Sequence, residues 1–203
     1  MCGRYYVDDG TAKEIEKLVW QVDEKAGRKA LARKIEIEAK DIHPTELAPI
    51  LAASGSVLEC RWQLWGFPGF QKGRVIFNAR CESAMEKPMF REAVLHRRAV
   101  IPAAGFYEWN QGKQKYTFCR ESGDAMFMAG CYRKYEDGDR FVILTTQANA
   151  SMEQVHDRMP LILERDEAVC WLLEDDASEE LLRKAPPLLE RRTEFEQLSI
   201  FQL

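Results

Sequence analysis

Residues 105–146 decide the fold, and they read GFYEWNQGKQKYTFCRESGDAMFMAGCYRKYEDGDRFVILTT. Aromatic and β-branched residues dominate the runs 105–109, 114–120, 126–133 and 140–146. Turn-forming pairs separate these runs, namely Gln111-Gly112, Ser122-Gly123 and Asp137-Gly138. Short β-rich runs broken by such pairs are typical of consecutive antiparallel strands. The stretch therefore predicts an antiparallel meander.

The same pattern extends towards the start of the chain. Ser54-Gly55 separates two further β-rich runs at 48–53 and 57–65, and residues 4–7 predict a short strand. An amphipathic helix follows that strand, with apolar residues on one face at Ile15, Leu18, Val19 and Val22. Further helices are predicted at 88–96, near 150–156, at 166–174 and at 178–185. We expect an α+β fold in a single domain over residues 1–203, with a strongly bent antiparallel β-sheet or barrel-like core and peripheral helices.

The composition limits the classes of function. The 203-residue chain has a net charge of −4, which argues against coating nucleic acid through bulk electrostatics but leaves room for a local basic cleft. Its six cysteines show no C-x-x-C spacing, and His43, His96 and His156 are scattered, so we expect no metal site and no cofactor. No apolar run approaches the roughly 20 residues that span a bilayer. The start of the chain lacks an apolar signal-peptide region, so we expect reduced thiols in a cytosolic or nuclear compartment.

Cys2 follows the initiator methionine directly. If Met1 is removed, Cys2 carries a thiol and a free α-amine on adjacent carbons, which is a 1,2-aminothiol. Such an amine and thiol ordinarily titrate at about 8 and about 8.5, so a usable fraction of each nucleophile exists near neutral pH. An aldehyde forms an imine with the amine and then closes with the thiol to a five-membered thiazolidine. A small second residue also simply permits methionine removal, so Cys2 alone does not settle the chemistry.

Three other polar residues lie in segments where a plain β core would carry apolar side chains. Glu108 lies between aromatic residues in a strand-like run, a setting suited to a proton shuttle, although an edge-strand carboxylate facing water has the same pattern. His156 precedes the apolar run 161–163 and fits either a capping histidine or an acid–base group. Asn78 fits either a turn or a site amide. Each residue alone supports a structural role as well as a catalytic one.

The order of the polar segments resembles the SOS-response-associated peptidase family, which includes bacterial and nuclear sensors of abasic sites in single-stranded DNA. Six motifs carry the resemblance over essentially the whole chain: Cys2-Gly3-Arg4, Trp65-Gly66, Asn78-Ala79-Arg80 with Glu82, Gly105-Phe106-Tyr107-Glu108-Trp109, Thr145-Thr146 with Ala148-Asn149, and His156-Asp157-Arg158-Met159-Pro160. The resemblance implies a β-rich fold with a basic DNA cleft. It also implies that processed Cys2 forms a thiazolidine cross-link with the ring-opened aldehyde of an abasic site, which shields the lesion from strand cleavage.

The resemblance assigns roles to particular residues. Cys2 matches the family nucleophile, and Asn78 matches the amide that orients the N-terminus and the sugar. Glu108 and His156 match the two acid–base groups, and His156 is also linked with reversal of the cross-link. The expected DNA contacts are Arg4, Arg80 and Arg158 at phosphates, Trp65 or Trp109 at apolar or stacking surfaces, and Pro44 in a loop that matches the family less closely. The implied partner is single-stranded DNA with abasic sites, bound by a cytoplasmic monomer at the bacterial nucleoid when DNA is damaged.

Two other functions remain open on the same residues. Cys2 could be the N-terminal nucleophile of an amidohydrolase or self-processing peptidase that releases Met1, with Glu108 or His156 assisting and Asn78 in an oxyanion hole. An amide substrate would then give turnover, whereas an aldehyde gives a stable adduct. Alternatively, the chain is a non-catalytic single-strand DNA-binding module in which Cys2 has no role.

Overall fold

The computed structural model describes residues 3–25, 27, 35–71 and 73–193. The strands of this part of the chain are β1 (Arg4–Val7), β2 (Lys40–Ile42), β3 (Leu47–Ser54), β4 (Val57–Trp65), β5 (Phe67–Pro68), β6 (Val75–Ile76), β7 (Asn78–Arg80), β8 (Arg98–Ala103), β9 (Gly105–Trp109), β10 (Lys115–Cys119), β11 (Met126–Tyr135), β12 (Gly138–Gln147), β13 (Arg158–Pro160), β14 (Ile162–Leu163) and β15 (Glu190–Thr193). Its helices are α1 (Asp9–Lys25), α2 (Cys81–Ala84), α3 (Pro88–His96), α4 (Arg165–Leu173) and α5 (Ser178–Leu181). The predicted runs at 57–65 and 105–109 match β4 and β9 residue for residue.

Five of these strands close into a barrel. Around it, β3 pairs with β4, β4 with β12, β12 with β11, β11 with β8, and β8 with β3. Four pairs are antiparallel, whereas β4 and β12 run parallel, with Trp65 beside Phe141. Strand β8 is buried at every position, so the hydrophobic effect favours the closed arrangement. The barrel-like core is confirmed, and the parallel closing pair is a feature that the meander pattern did not predict.

A second sheet lies against the barrel. Its five strands are all antiparallel and follow the order β15–β10–β9–β1–β2. Ala104 is the single residue between β8 of the barrel and β9 of this sheet, and its N–H donates to the carbonyl of Tyr6 at 2.9 Å. Tyr5 on β1 packs edge-on against Trp65 on β4, with ring centroids 5.1 Å apart. Both rings are fully buried, so this contact fixes the second sheet on the barrel.

Helix α1 packs against β4 and buries Ile15, Leu18 and Val22, as the periodicity predicted. The helices predicted at 88–96 and 166–174 are confirmed as α3 and α4, and α5 is shorter than the predicted 178–185. The helix predicted near 150–156 is wrong, because that segment forms turns. The side chain of Asn149 accepts a hydrogen bond from the N–H of Ser151 at 3.1 Å, which favours a turn over a helix.

No helix among the described residues combines the length and the apolar composition needed to cross a bilayer.

Candidate functional site

Strand β12 separates the two segments that carry Asn78 and His156. On one side β7 runs parallel to β12, with Arg80 beside Thr145. On the other side β13 runs antiparallel to β12, with Pro160 beside the same Thr145. The pairing therefore brings two polar motifs, distant in sequence, to the same end of one barrel strand.

Trp65 connects the Asn78 segment with the first strand. Its indole Nε1 donates to the carbonyl of Phe77 at 2.8 Å, and its ring packs against Tyr5 of β1. Trp65 is fully buried. The expectation that Trp65 contacts DNA is therefore wrong, because neither its ring face nor its N–H group is accessible to a nucleotide. Its contacts make it a structural link between β1 and the residue that precedes Asn78.

Glu108 lies on β9, an interior strand flanked by β1 and β10. It is 6% exposed, and its Oε1 accepts a hydrogen bond from the N–H of Trp109 at 3.3 Å. An edge-strand carboxylate facing water is thereby excluded. The carboxyl group is therefore largely shielded from bulk water.

Strand β1 lies beside β9, the strand that carries Glu108. Strand β1 is antiparallel to β9, and Arg4 lies beside Tyr107. Because the strands are antiparallel, the residue before Arg4 lies on the side of β9 where Tyr107 is followed by Glu108. Cys2 itself lies outside the described residues.

Arg4 and Trp109 form a cationic and aromatic pair on the sheet that carries Glu108. The guanidinium carbon of Arg4 lies 5.3 Å from the centroid of the Trp109 ring, and its Nη1 lies 4.0 Å from Asp41 Oδ2. The hydroxyl of Tyr107 donates to Asp41 Oδ1 at 3.1 Å. Burial, and next the hydrogen bond to Asp41, raise the pKa of Tyr107 to about 12, so this hydroxyl stays a neutral donor near pH 7. This sheet thus carries a half-buried cation and a half-buried indole on the face that Tyr107 and Trp109 share.

Arg158 does not face solvent, although the sequence suggested a phosphate contact. The residue is 7% exposed, and its Nη1 and Nη2 donate to the two carboxylate oxygens of Glu82 at 2.7 and 2.9 Å. Its Nη2 also donates to the carbonyl of Thr145 at 2.5 Å. The expectation for Arg158 is therefore wrong, since its guanidinium is already bound within the protein. These hydrogen bonds lower the pKa of Glu82, so the pair is ionised near neutral pH.

His156 lies two residues before the first residue of β13 and is half-buried. Its Nδ1 lies 3.0 Å from the backbone nitrogen of Arg158, which donates to it, and 2.8 Å from Asp157 Oδ1. The backbone N–H of His156 donates to the carbonyl of Met152 at 3.1 Å. The imidazole is thus attached to the backbone on the β13 side of the barrel, and it is not the capping residue of a helix.

The hairpin formed by β5 and β6 carries an exposed aromatic residue that the sequence analysis missed. Phe70 is 91% exposed, and a groove of about 360 Å³ lies beside it, bounded in part by Arg74. The hairpin begins at Gly66, whose φ of 116° is favourable only for glycine, and it ends one residue before Phe77. The sequence does carry a signal for its exposure, because Phe70 lies between Gly69 and Gly73 in the short connection from β5 to β6.

Two predicted DNA contacts lie on accessible surface near these segments. Arg80 is exposed at the end of β7. Pro44 is half-buried in the turn between β2 and β3, where the N–H of Thr45 donates to the carbonyl of Trp65 at 2.7 Å. Contact with DNA stays a prediction for both residues. Within the described ranges, no group of three or more His, Cys, Asp and Glu side chains is arranged to hold a metal ion.

The geometry of the site and the pattern of motifs agree with a family comparison. The family model described as SOS response associated peptidase (SRAP) matches residues 1–200, so the chain belongs to this family. The resemblance inferred from the motifs is thereby confirmed.

Three relatives indicate what the family includes. The chain is 35% identical over 120 residues to abasic site processing protein YoaM of Bacillus subtilis, a match covering 55% of this chain and 53% of YoaM. It is 31% identical over 124 residues to abasic site processing protein YedK of Escherichia coli, covering 57% and 56%. It is 30% identical over 141 residues to abasic site processing protein HMCES of Gallus gallus, covering 55% and 41%. The chain therefore spans about half the length of the relatives it matches.

Two solved structures share the fold. A protein from Bordetella bronchiseptica has a TM-score of 0.73 at 23% identity, over 95% of this chain and 99% of its own. A phage-related protein from the same organism has a TM-score of 0.75 at 19% identity, over 95% and 93%. These likenesses confirm the α+β architecture.

Proposed function

We propose that this protein processes abasic sites in single-stranded DNA by a covalent cross-link. Cys2, after release of Met1, would form a thiazolidine with the ring-opened sugar and so shield the lesion. The relatives are named for abasic site processing, which supports the class of substrate. The observation that carries the proposal is the carboxyl group of Glu108, which is 6% exposed and lies beside the strand whose start leads to Cys2.

The reaction begins when the abasic sugar opens and releases an aldehyde. The Cys2 amine attacks the aldehyde carbon, and the carbinolamine loses water to give an imine. The thiol then adds to the same carbon; sulfur loses its proton, nitrogen gains one, and the five-membered ring closes. The net change is the loss of one water molecule, with no oxidant or reductant. Glu108 gives and takes protons, Asn78 orients the amine and the sugar, and His156 acts at the sugar hydroxyl.

The five described cysteines are poor competitors for this role. Burial raises the pKa of the Cys60 thiol to about 11, and those of Cys81 and Cys131 to about 12. Burial also raises the pKa of the remaining two, Cys119 and Cys170. Because the thiolate is the nucleophilic form, all five have a very small reactive fraction near pH 7. Covalent chemistry is therefore expected at Cys2.

DNA would bind over the exposed residues around the site. Arg80 and Arg4 supply guanidinium groups for phosphates, and Trp109 supplies an aromatic face beside Arg4. Phe70 takes the stacking role that the sequence analysis gave to Trp65, because it is accessible. Pro44 would contact the strand from the turn between β2 and β3. An abasic nucleotide lacks its base, so it enters such a site without the usual cost of unstacking.

A self-processing peptidase activity is the second candidate, supported by the family's description as a peptidase. The same Cys2, Asn78 and Glu108 would then release Met1 before meeting DNA. Release of Met1 would precede cross-linking. It gives a free product, whereas cross-linking gives a covalent adduct.

Denaturing electrophoresis with single-stranded DNA that carries one abasic site tests the proposal. Wild-type protein should give a heat-stable adduct. Cys2→Ser keeps an amine but lacks the thiol, so it should give only an imine, visible after borohydride reduction. Cys60→Ser is the matched control and should cross-link like wild type.

An unreduced adduct from Cys2→Ser at the wild-type level would rule out the thiazolidine. Equal affinity for intact and abasic strands, with no adduct in any condition, would instead support a non-catalytic binding module.

A further inference from the structure

The Nδ1 atom of His156 lies within hydrogen-bond distance of two groups that it cannot serve at once. The backbone N–H of Arg158 donates to Nδ1 at 3.0 Å, which requires a lone pair on that nitrogen. Asp157 Oδ1 lies 2.8 Å from the same atom and can only accept, which requires a proton there. In the neutral imidazole, the first contact puts the proton on Nε2 and the second puts it on Nδ1.

Burial decides between the two contacts. The Asp157 side chain is 83% exposed, so water hydrates its carboxylate fully when Nδ1 does not donate to it. Arg158 is only 7% exposed, so its backbone N–H loses a partner that water does not readily replace. An unsatisfied buried donor costs more than a solvated surface pair contributes. The contact with the N–H of Arg158 is therefore the favoured one in the neutral imidazole.

The backbone of Arg158 is held in place from several sides. Its guanidinium binds both oxygens of Glu82 and the carbonyl of Thr145. Its backbone pairs with Gln147 on β12. Between His156 and Arg158, the carbonyl of Asp157 accepts from the N–H of Ala148 at 2.9 Å. The N–H that meets Nδ1 is thus fixed by β12 and by the segment that carries Arg80 and Glu82.

We propose that Arg158 is a positioning residue that fixes neutral His156 as the Nε2–H tautomer. His156 then presents a hydrogen-bond donor to the sugar, and it does not act as a base through Nε2. This inference rests on the proposed function only for the identity of the sugar, since the tautomer is a property of the free protein. The family resemblance assigns His156 as a general acid–base group. The proposal assigns it as a hydrogen-bond donor instead.

Nuclear magnetic resonance of uniformly ¹⁵N-labelled full-length protein tests the tautomer without DNA. The spectrum is simple, because the chain has three histidines. The spectrum is recorded at about pH 8.5, and a ring nitrogen without a proton identifies the neutral imidazole. We expect a through-hydrogen-bond coupling between the amide nitrogen of Arg158 and Nδ1 of His156, with the proton on Nε2. A proton on Nδ1, without that coupling, would overturn the proposal.

Two variants give the same test a control. Glu82→Gln removes one charged acceptor from the guanidinium of Arg158 and should weaken the coupling. Asp175→Asn is the matched control, because Asp175 accepts from the buried Arg98 at 2.6 Å on another side of the barrel, and it should leave the coupling unchanged. Equal loss in both variants would show a general loosening of the fold and would also overturn the proposal.

Reversal kinetics of the cross-link test the donor role. His156→Gln keeps an N–H near the position of Nε2 but cannot act as a base, whereas His156→Ala lacks both. If His156 is a donor, His156→Gln should release DNA within about tenfold of the wild-type rate, which corresponds to one perturbed hydrogen bond. Equal losses of about 10²-fold or more in both variants would show base catalysis and contradict the proposal. If no adduct forms at all, the proposed function fails while the spectroscopic result still stands.

Discussion

Trp65 and Phe70 lie five residues apart, yet one is fully buried and the other is 91% exposed. Trp65 packs on Tyr5 and donates to Phe77, so it connects the two sheets beneath the site. Phe70 packs little and presents its ring to solvent. The two aromatic residues therefore divide the short segment 65–70 into an internal support and an external surface.

The arginines divide in the same way. Arg158 is bound to Glu82 and Thr145, whereas Arg80 is exposed at the end of β7. Motif membership alone does not separate the two roles, because both arginines flank site residues. Burial separates them, since a guanidinium that is already bound inside the protein is not free for phosphate.

The largest difference is expected between Trp65→Ala and Phe70→Ala. Removing the fully buried indole should lower the free energy of unfolding by about 3–5 kcal/mol. Removing the exposed ring should change it by less than about 0.5 kcal/mol but weaken single-strand binding by about 1–3 kcal/mol. Urea unfolding and fluorescence anisotropy measure the two quantities. If Trp65→Ala unfolds like wild type but binds poorly, the division between support and surface is wrong.

A smaller difference is expected between Arg158→Ala and Arg80→Ala. Loss of Arg158 leaves the carbonyl of Thr145 and one carboxylate without their donors, which should cost about 1–3 kcal/mol of stability. Loss of Arg80 should leave stability unchanged, weaken binding to intact and abasic strands alike, and reduce the salt slope by about 0.7. Anisotropy titrations at several salt concentrations measure this slope. If folded Arg158→Ala shows a reduced salt dependence of binding, Arg158 contacts DNA and the assignment to the interior is wrong.

The smallest effect is a pH dependence of stability that comes from Glu82. Hydrogen bonds from Arg158 lower the pKa of Glu82 below its ordinary value in the folded state. This stabilisation is therefore present above the unfolded pKa of about 4.3 and is lost as the pH falls through the lower folded value. Since the carboxylate is half exposed, the effect should stay below about 1 kcal/mol. Between about pH 6 and pH 3, the free energy of unfolding should fall less steeply with decreasing pH in Glu82→Gln than in wild type. An identical pH dependence in both proteins would contradict the pairing.

Local patterns in the sequence predicted much of the fold. The β-rich runs and the turn pairs predicted the exact bounds of β4 and β9, because strand propensity and turn chemistry are local properties. The closure of the barrel depends on a parallel pairing of β4 with β12, which is a long-range property with no local signal. The segment near 150–156 forms turns instead of the predicted helix, and the side chain of Asn149 accepts hydrogen bonds from the N–H and hydroxyl of Ser151 there.

The site was predicted in part, for the same physical reason. Motif order proposes Asn78, Glu108 and His156 as site residues, and the structure has Glu108 as a buried side chain on an interior strand. Exposure is a tertiary property, so the sequence could not separate Trp65 from Phe70 or Arg158 from Arg80. Nor could it show that the N–H of Arg158 meets the imidazole of His156, because this contact between residues two positions apart depends on the side-chain rotamer of His156.

Intact mass spectrometry of the purified adduct tests the central claim most directly. Wild-type protein without Met1, incubated with single-stranded DNA that carries one abasic site, should give a species whose mass is the sum of both partners less one water molecule. Borohydride should leave this mass unchanged, because a thiazolidine has no imine to reduce, and digestion should locate the link at Cys2. An adduct that gains hydrogen on reduction, or one that maps to a lysine or to any other cysteine, would contradict the account.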